Sequence, residues 1–159
     1  MKERDVGSSF AAIFKNYLIL SPKSFAEPGW PDRLIVMPDA RVIACELKRV
    51  RLTLDGRFSL KELRNDQTAF LAKWQRAGGL CFVLAGLYSS VSIRKNAYSK
   101  LVSLAPISVP HWKDWLDTNK QEFLFSEMFS SIENDDIYKW FLNYISGVYA
   151  QQRQELVNA

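Results

Sequence analysis

Two carboxylates and a lysine bracket a short apolar hairpin in GWPDRLIVMPDARVIACELKR, residues 29–49. Asp32 opens the first apolar run, and Glu46 and Lys48 close the second. A strand pair built only for stability has no use for three charges at one end. Side chains alternate along a strand, so Glu46 and Lys48 share a face while Cys45 and Leu47 take the other. With a turn at 38–40, residue 32 falls opposite 46 to 48 in an antiparallel register. Two carboxylates held that close repel each other unless a cation lies between them. Oxygen donors without histidine select a hard divalent ion, Mg²⁺ or Mn²⁺, and the Leu47 backbone carbonyl can add a further oxygen. Such an ion polarises a phosphoryl oxygen and activates a water. Lys48 is placed to orient that water or to offset charge developing on the phosphate. The expected chemistry is phosphodiester hydrolysis.

Secondary structure must position these groups. SSFAAIFKNYLIL, residues 8–20, fits a helix with Phe10, Ile13, Phe14 and Tyr17 on one face, capped by Ser8 or Ser9. Three prolines and a glycine make 21–31 a loop. Residues 33–37 and 41–48 predict a hairpin around Pro38-Asp39-Ala40. Residues 49–58 are basic and partly extended, with Asp55-Gly56 as a turn. Ser59-Leu60-Lys61-Glu62 has the form of a capping box, so a helix is expected from there to about Ala77, ended by Gly78-Gly79. Its apolar face is Leu60, Leu63, Phe70, Leu71, Trp74 and Ala77. Gln67 falls on that face and must find hydrogen bonds there. It either reaches out from the rim or holds the attacking water, the lysine or a phosphate. Residues 80–86 form a continuous apolar run of strand length. Helix, strand, strand, helix, strand predicts an α/β fold, a mixed sheet covered by helices.

Beyond residue 87 the pattern changes to an aromatic-rich, helical one. Ile137, Phe141, Tyr144 or Ile145, and Val148 recur at helical spacing, with Asn134 and Asp135 suited to the start. Core packing is the preferred reading of this stripe. Base stacking and packing against a second copy of the chain are the alternatives, and the density of Trp140, Phe141, Tyr144 and Tyr149 motivates a homodimer as a hypothesis.

Charge is uneven. Residues 1–87 hold 14 Lys/Arg against 9 Asp/Glu, and residues 88–159 hold 7 against 8. The excess around the hairpin suits a polyanionic partner, although charge alone slightly favours a merely soluble basic face. Arg33, Arg49, Arg51, Arg57, Lys61 and Arg64 are the candidates to grip backbone phosphates. The lone His111 and two distant cysteines exclude a Cys/His zinc site in one chain. No phosphate-loop, dinucleotide-binding or G-x-S-x-G motif occurs. The longest apolar run, 80–87, is far short of a membrane span, and MKERDVGSSF lacks the apolar stretch of a signal peptide. Cys45 and Cys81 read as small buried hydrophobes in a reducing compartment, with a single disulfide left open.

Pro31-Asp32, thirteen residues, then Glu46-Leu47-Lys48 resembles the PD-(D/E)xK nuclease signature. With G-W-P-D-R, the strand ending E-L-K-R, the helix carrying Asp66-Gln67, Ala77-Gly78-Gly79 and the apolar strand after it, the chain is similar to the virus-type replication-repair nuclease (VRR-NUC) branch. That branch includes Holliday-junction-resolvase-like phage enzymes. The resemblance covers residues 1–87, and residues 88–159 are expected to be a helical extension packed on that core or forming a dimer interface. The resemblance implies a restriction-endonuclease-like sheet and a Mg²⁺- or Mn²⁺-dependent endodeoxyribonuclease for branched or junction DNA. It implies Asp32 and Glu46 as metal ligands, Lys48 as the catalytic lysine and Gln67 as a supporting residue. Members also carry an acid on the first helix; Glu3 fits the spacing to Asp32 better than Asp5. The implied setting is the cytoplasm of a bacterial or phage-infected cell. Rival readings are a catalytically silent nuclease fold that binds DNA or a protein, and a restriction-type or end-processing nuclease.

Overall fold

The computed structural model describes residues 5–22, 29–52, 57–59, 65–89, 100–108, 122–124, 131 and 133–157. Its elements are α1 (Val6–Ile13), β1 (Leu18–Leu20), β2 (Arg33–Val36), β3 (Val42–Leu52), β4 (Arg57–Ser59), α2 (Asn65–Arg76), β5 (Leu80–Ser89), β6 (Lys100–Ser108), β7 (Glu122–Leu124) and α3 (Asn134–Val157). Five strands make one mixed sheet in the order β1-β2-β3-β5-β6, and β4 and β7 pair separately. Pair β3–β5 is parallel, and its neighbours in the sheet are antiparallel. The coarse expectation of a helix-flanked mixed α/β sheet therefore holds.

The hairpin forms as expected, with Arg33 opposite Cys45 and Val36 opposite Val42. Its three-residue loop closes with Ala40 N–H donating to the Met37 carbonyl at 2.9 Å and Met37 N–H donating to the Arg41 carbonyl at 2.8 Å. Ala40 takes φ 66°, the left-handed position of a three-residue hairpin loop. A parallel return to β5 needs a long crossover, and α2 lies within it, covering one sheet face. That helix ends as its glycines predict. Gly78 has φ 85°, and the N–H groups of Gly78 and Gly79 donate back to the Gln75 and Trp74 carbonyls. A Cβ on Gly79 would collide with the Trp74 indole, so glycine here also lets that ring lie flat on the chain.

Strand alternation divides the core in two. Leu34, Ala44, Val50, Cys81, Val83, Ala85 and Ile107 pack toward α2 with Leu71. Ile35, Ile43, Cys45, Phe82, Leu84 and Leu104 pack toward α1 and α3 with Phe10, Phe14, Ile137, Phe141 and Ile145. Ile137, Phe141 and Ile145 are buried one turn apart on α3, so this part of the aromatic stripe is core packing. The Tyr144 hydroxyl fastens α3 to β5 by donating to the Cys81 carbonyl at 2.7 Å. Cys45 and Cys81 are free thiols on opposite faces, which removes the disulfide option. Among the described residues no helix is long and apolar enough to cross a membrane.

Several expectations are corrected. The first helix spans Val6–Ile13, not 8–20, because Asp5 caps it: its carboxylate accepts from Ser8 N–H at 2.7 Å. Leu18–Leu20 is an edge strand on β2. Ser59 cannot open a capping box, since it stands in β4 opposite Glu122. Ala77 is exposed. The segment after 87 is not purely helical. Strand β5 continues to Ser89, β6 joins it as the fifth strand, and β7 pairs with β4. Residues 60–64 and 109–120, including Leu60, Leu63 and His111, lie outside the described residues.

Candidate active site

Asp32, Glu46 and Gln67 are buried polar residues on or beside the α2 face, at 5%, 1% and 5% exposure. Three elements bring them together. The β2–β3 register, extended by one residue beyond Arg33–Cys45, sets Asp32 beside Glu46. Alternation then puts Glu46 and Lys48 on the face that also carries Ala44 and Val50, under α2. Helix α2 lowers Gln67 onto them, one turn before Leu71, which is buried in the same core.

The four side chains form one hydrogen-bonded cluster. Lys48 Nζ donates to Gln67 Oε1 at 2.8 Å and lies 3.2 Å from Glu46 Oε1. Gln67 Nε2 donates to the same Glu46 oxygen. The Asp32 backbone N–H reaches Glu46 Oε2 at 3.3 Å, and Leu47 N–H donates to Asp32 Oδ2 at 2.9 Å. Gln67 thus uses its amide in the one sense that serves both neighbours, oxygen to the ammonium and nitrogen to the carboxylate. The rim alternative for this residue is excluded by its burial. Lys48 has three N–H donors. Two are engaged inside the cluster, and its side chain keeps 16% exposure, which leaves one donor for a group arriving from solvent.

Electrostatically the cluster is short of positive charge, with two carboxylates against one ammonium. Burial, and then the Asp32 carboxylate, push Glu46 up to about 7, while Lys48 pulls the other way. The donors offered to a cation are all oxygen, and the described part holds no group of three or more His, Cys, Asp or Glu. The further oxygen has a backbone source. In a strand, a residue's N–H and C=O face the same neighbour. The Leu47 N–H faces Asp32, so its carbonyl lies on that side as well. This donor set suits a hard divalent ion.

The remaining expected residues scatter. The Arg33 guanidinium donates to the Asp32 carbonyl at 2.8 Å, close to the cluster. Arg49 sits on the opposite face, its guanidinium 4.1 Å from the centre of the Tyr88 ring, whose hydroxyl accepts from Val6 N–H of α1. Arg51 and Arg57 occupy β3 and β4, opposite Tyr88 and Leu124. Glu3, Lys61 and Arg64 lie outside the described residues. Asp5, the alternative first-helix acid, is engaged as the α1 cap, which holds its carboxyl below the usual range.

One neighbour of the cluster was not singled out from sequence. Trp30 lies against Phe70 of α2 with ring centroids 5.2 Å apart, two residues before Asp32. Its signal was its place in G-W-P-D, a large aromatic between glycine and proline.

No protein-family model matches this chain, and a search of curated proteins returns no match.

Proposed function

We propose that the chain is a divalent-metal-dependent endodeoxyribonuclease of the PD-(D/E)xK type, with the five-stranded sheet as a restriction-endonuclease-like core. The observation that carries this reading is the buried Asp32–Glu46–Lys48–Gln67 cluster. A cluster made only for stability is poorly motivated here, because hydrocarbon of equal volume fills such a site at least as favourably. The resemblance of P-D and E-L-K to the nuclease signature points the same way, as does the order α1, β1–β3, α2, β5.

Asp32, Glu46 and the Leu47 carbonyl are the residues to hold the ion. Bound there, Mg²⁺ or Mn²⁺ supplies Lewis-acid polarisation of the scissile phosphate and a more acidic water. The protein's own groups do the rest. Glu46 is fixed from both oxygens, so its orientation is set before substrate arrives. Gln67 holds the Lys48 ammonium, and the remaining Lys48 donor orients water or stabilises the phosphate as charge builds. Arg33 and the basic excess of residues 1–87 supply backbone affinity.

The test is incubation of the full chain with supercoiled plasmid, linear duplex and four-way-junction DNA, each with Mg²⁺ and with EDTA. Cleavage only with the ion, fastest on the junction, is the expected result. No cleavage of any of the three with Mg²⁺ or Mn²⁺ overturns the reading.

A further inference from the structure

We propose that Trp30, backed by Phe70 and Trp74, is a stacking platform for one unpaired nucleobase next to the scissile phosphate. The inference rests on the nuclease reading above and narrows its substrate to DNA with an unpaired nucleotide at the cut: a fork, a flap, a junction centre or a single strand.

The three rings form a ladder anchored at its inner end. The Trp74 indole N–H donates to the Leu80 carbonyl at 3.0 Å, which fixes that ring beside β5. Phe70 stacks on Trp74 with centroids 5.8 Å apart and planes 27° apart. Trp30 lies against Phe70 at 5.2 Å, tilted by 40°, and remains 37% exposed. The described residues include four other exposed large hydrophobics: Leu18, Leu20, Val102 and Leu142. They are aliphatic. Trp30 is aromatic and two residues from Asp32, while Phe70 lies one turn along α2 from Gln67.

The platform is also partly ordered in advance. Pro31 restricts the Trp30 backbone to extended conformations, and the Phe70 ring lies against the indole. Both restrictions reduce the freedom Trp30 loses when a ligand stacks on it. Aromatic side chains beside a phosphate-binding groove are a general means of holding bases without reading sequence. A base inside a duplex already has both faces stacked. Only an unpaired or terminal base has a face free for Trp30.

The experiment uses the full chain and a forked oligonucleotide. Its probes are 2-aminopurine or an abasic site, moved one position at a time through the nucleotides flanking the mapped cut. With the wild-type chain, one unpaired position shows quenching, and an abasic site there weakens binding about ten-fold. Trp30→Ala removes both effects, and Trp30→Phe retains part of them. Cleavage of the fork with no preferred position, or with a preference unchanged in a folded Trp30→Ala chain, overturns the platform and leaves the nuclease reading standing. Failure to bind or cut any DNA removes both. Should Trp30→Ala not fold, the wild-type probe scan decides alone, and absence of a preferred position overturns the proposal.

Discussion

On the α1–α3 side of the sheet, Phe10, Phe14, Phe82 and Phe141 pack together, Phe141 edge-on to Phe14 and the other rings tilted, with centroids as close as 4.8 Å. On the α2 side, the next residues of the same strands set Glu46 and Lys48 beside Leu71, Val83 and Ala85. Cys45 and Glu46 are neighbours in sequence and fall into opposite environments because β3 alternates. One face is centred on packed aromatic and aliphatic side chains and anchors the fold. The other accepts two buried carboxylates and compensates them with one lysine, one glutamine and two backbone N–H groups. Buried charge that needs such a set of polar partners, in an otherwise ordinary core, marks this face as the candidate site.

The hydrocarbon face breaks first in stability. Phe141→Ala removes a fully buried ring from the contact between α3, Phe14 and Phe82 and is expected to cost about 3–5 kcal/mol in a urea titration. A loss under about 1 kcal/mol would mean that α3 is not part of this core.

Lys48→Ala tests the other face. It leaves the hydrocarbon packing intact and removes the donor that faces incoming groups. The single-turnover cleavage rate is expected to fall about a hundred-fold or more, with DNA affinity nearly unchanged. A loss of affinity with the bound-state rate untouched would make Lys48 a phosphate grip.

A smaller effect comes from pH. With its folded pKa raised from 4.5 to about 7, Glu46 binds more proton in the folded chain than in the unfolded chain between those values. Stability of the chelator-treated protein therefore falls as pH rises through that window and is regained on acidification. Melting temperature should climb by a few degrees between pH 7.5 and pH 5.5, and Glu46→Gln should flatten that slope. An unchanged slope in the variant would place the titration elsewhere.

Much of the α2 face was legible in sequence, because short-range rules govern it. The three-residue turn fixes the hairpin register, alternation fixes Glu46 with Lys48, and the spacing of Gln67 to Phe70 and Leu71 turns the glutamine inward. Long-range pairing was not legible. Leu18–Leu20 has the composition of a helix end and becomes a strand only because β2 offers an open edge. Ser59 has the surroundings of a helix cap, yet it is drawn into β4 by a partner strand at 122–124. Pro106 argues against a strand through 100–108, and the strand survives because β6 is an edge, where a missing N–H does no harm. The Trp30–Phe70 contact joins a loop residue to a helix forty residues away, and no local pattern announces it.

The most direct measurement is cleavage of four-way-junction DNA by the wild-type chain, Asp32→Ala and Glu46→Ala, each with Mg²⁺ and with EDTA, alongside a binding measurement in EDTA. The wild type is expected to cut only with Mg²⁺. Both variants are expected to lose cleavage while binding DNA as well as the wild type or better, because a carboxylate that repels phosphate has been removed. Cleavage that persists in EDTA, or in either variant with Mg²⁺, would contradict the claim that these two carboxylates hold the catalytic ion.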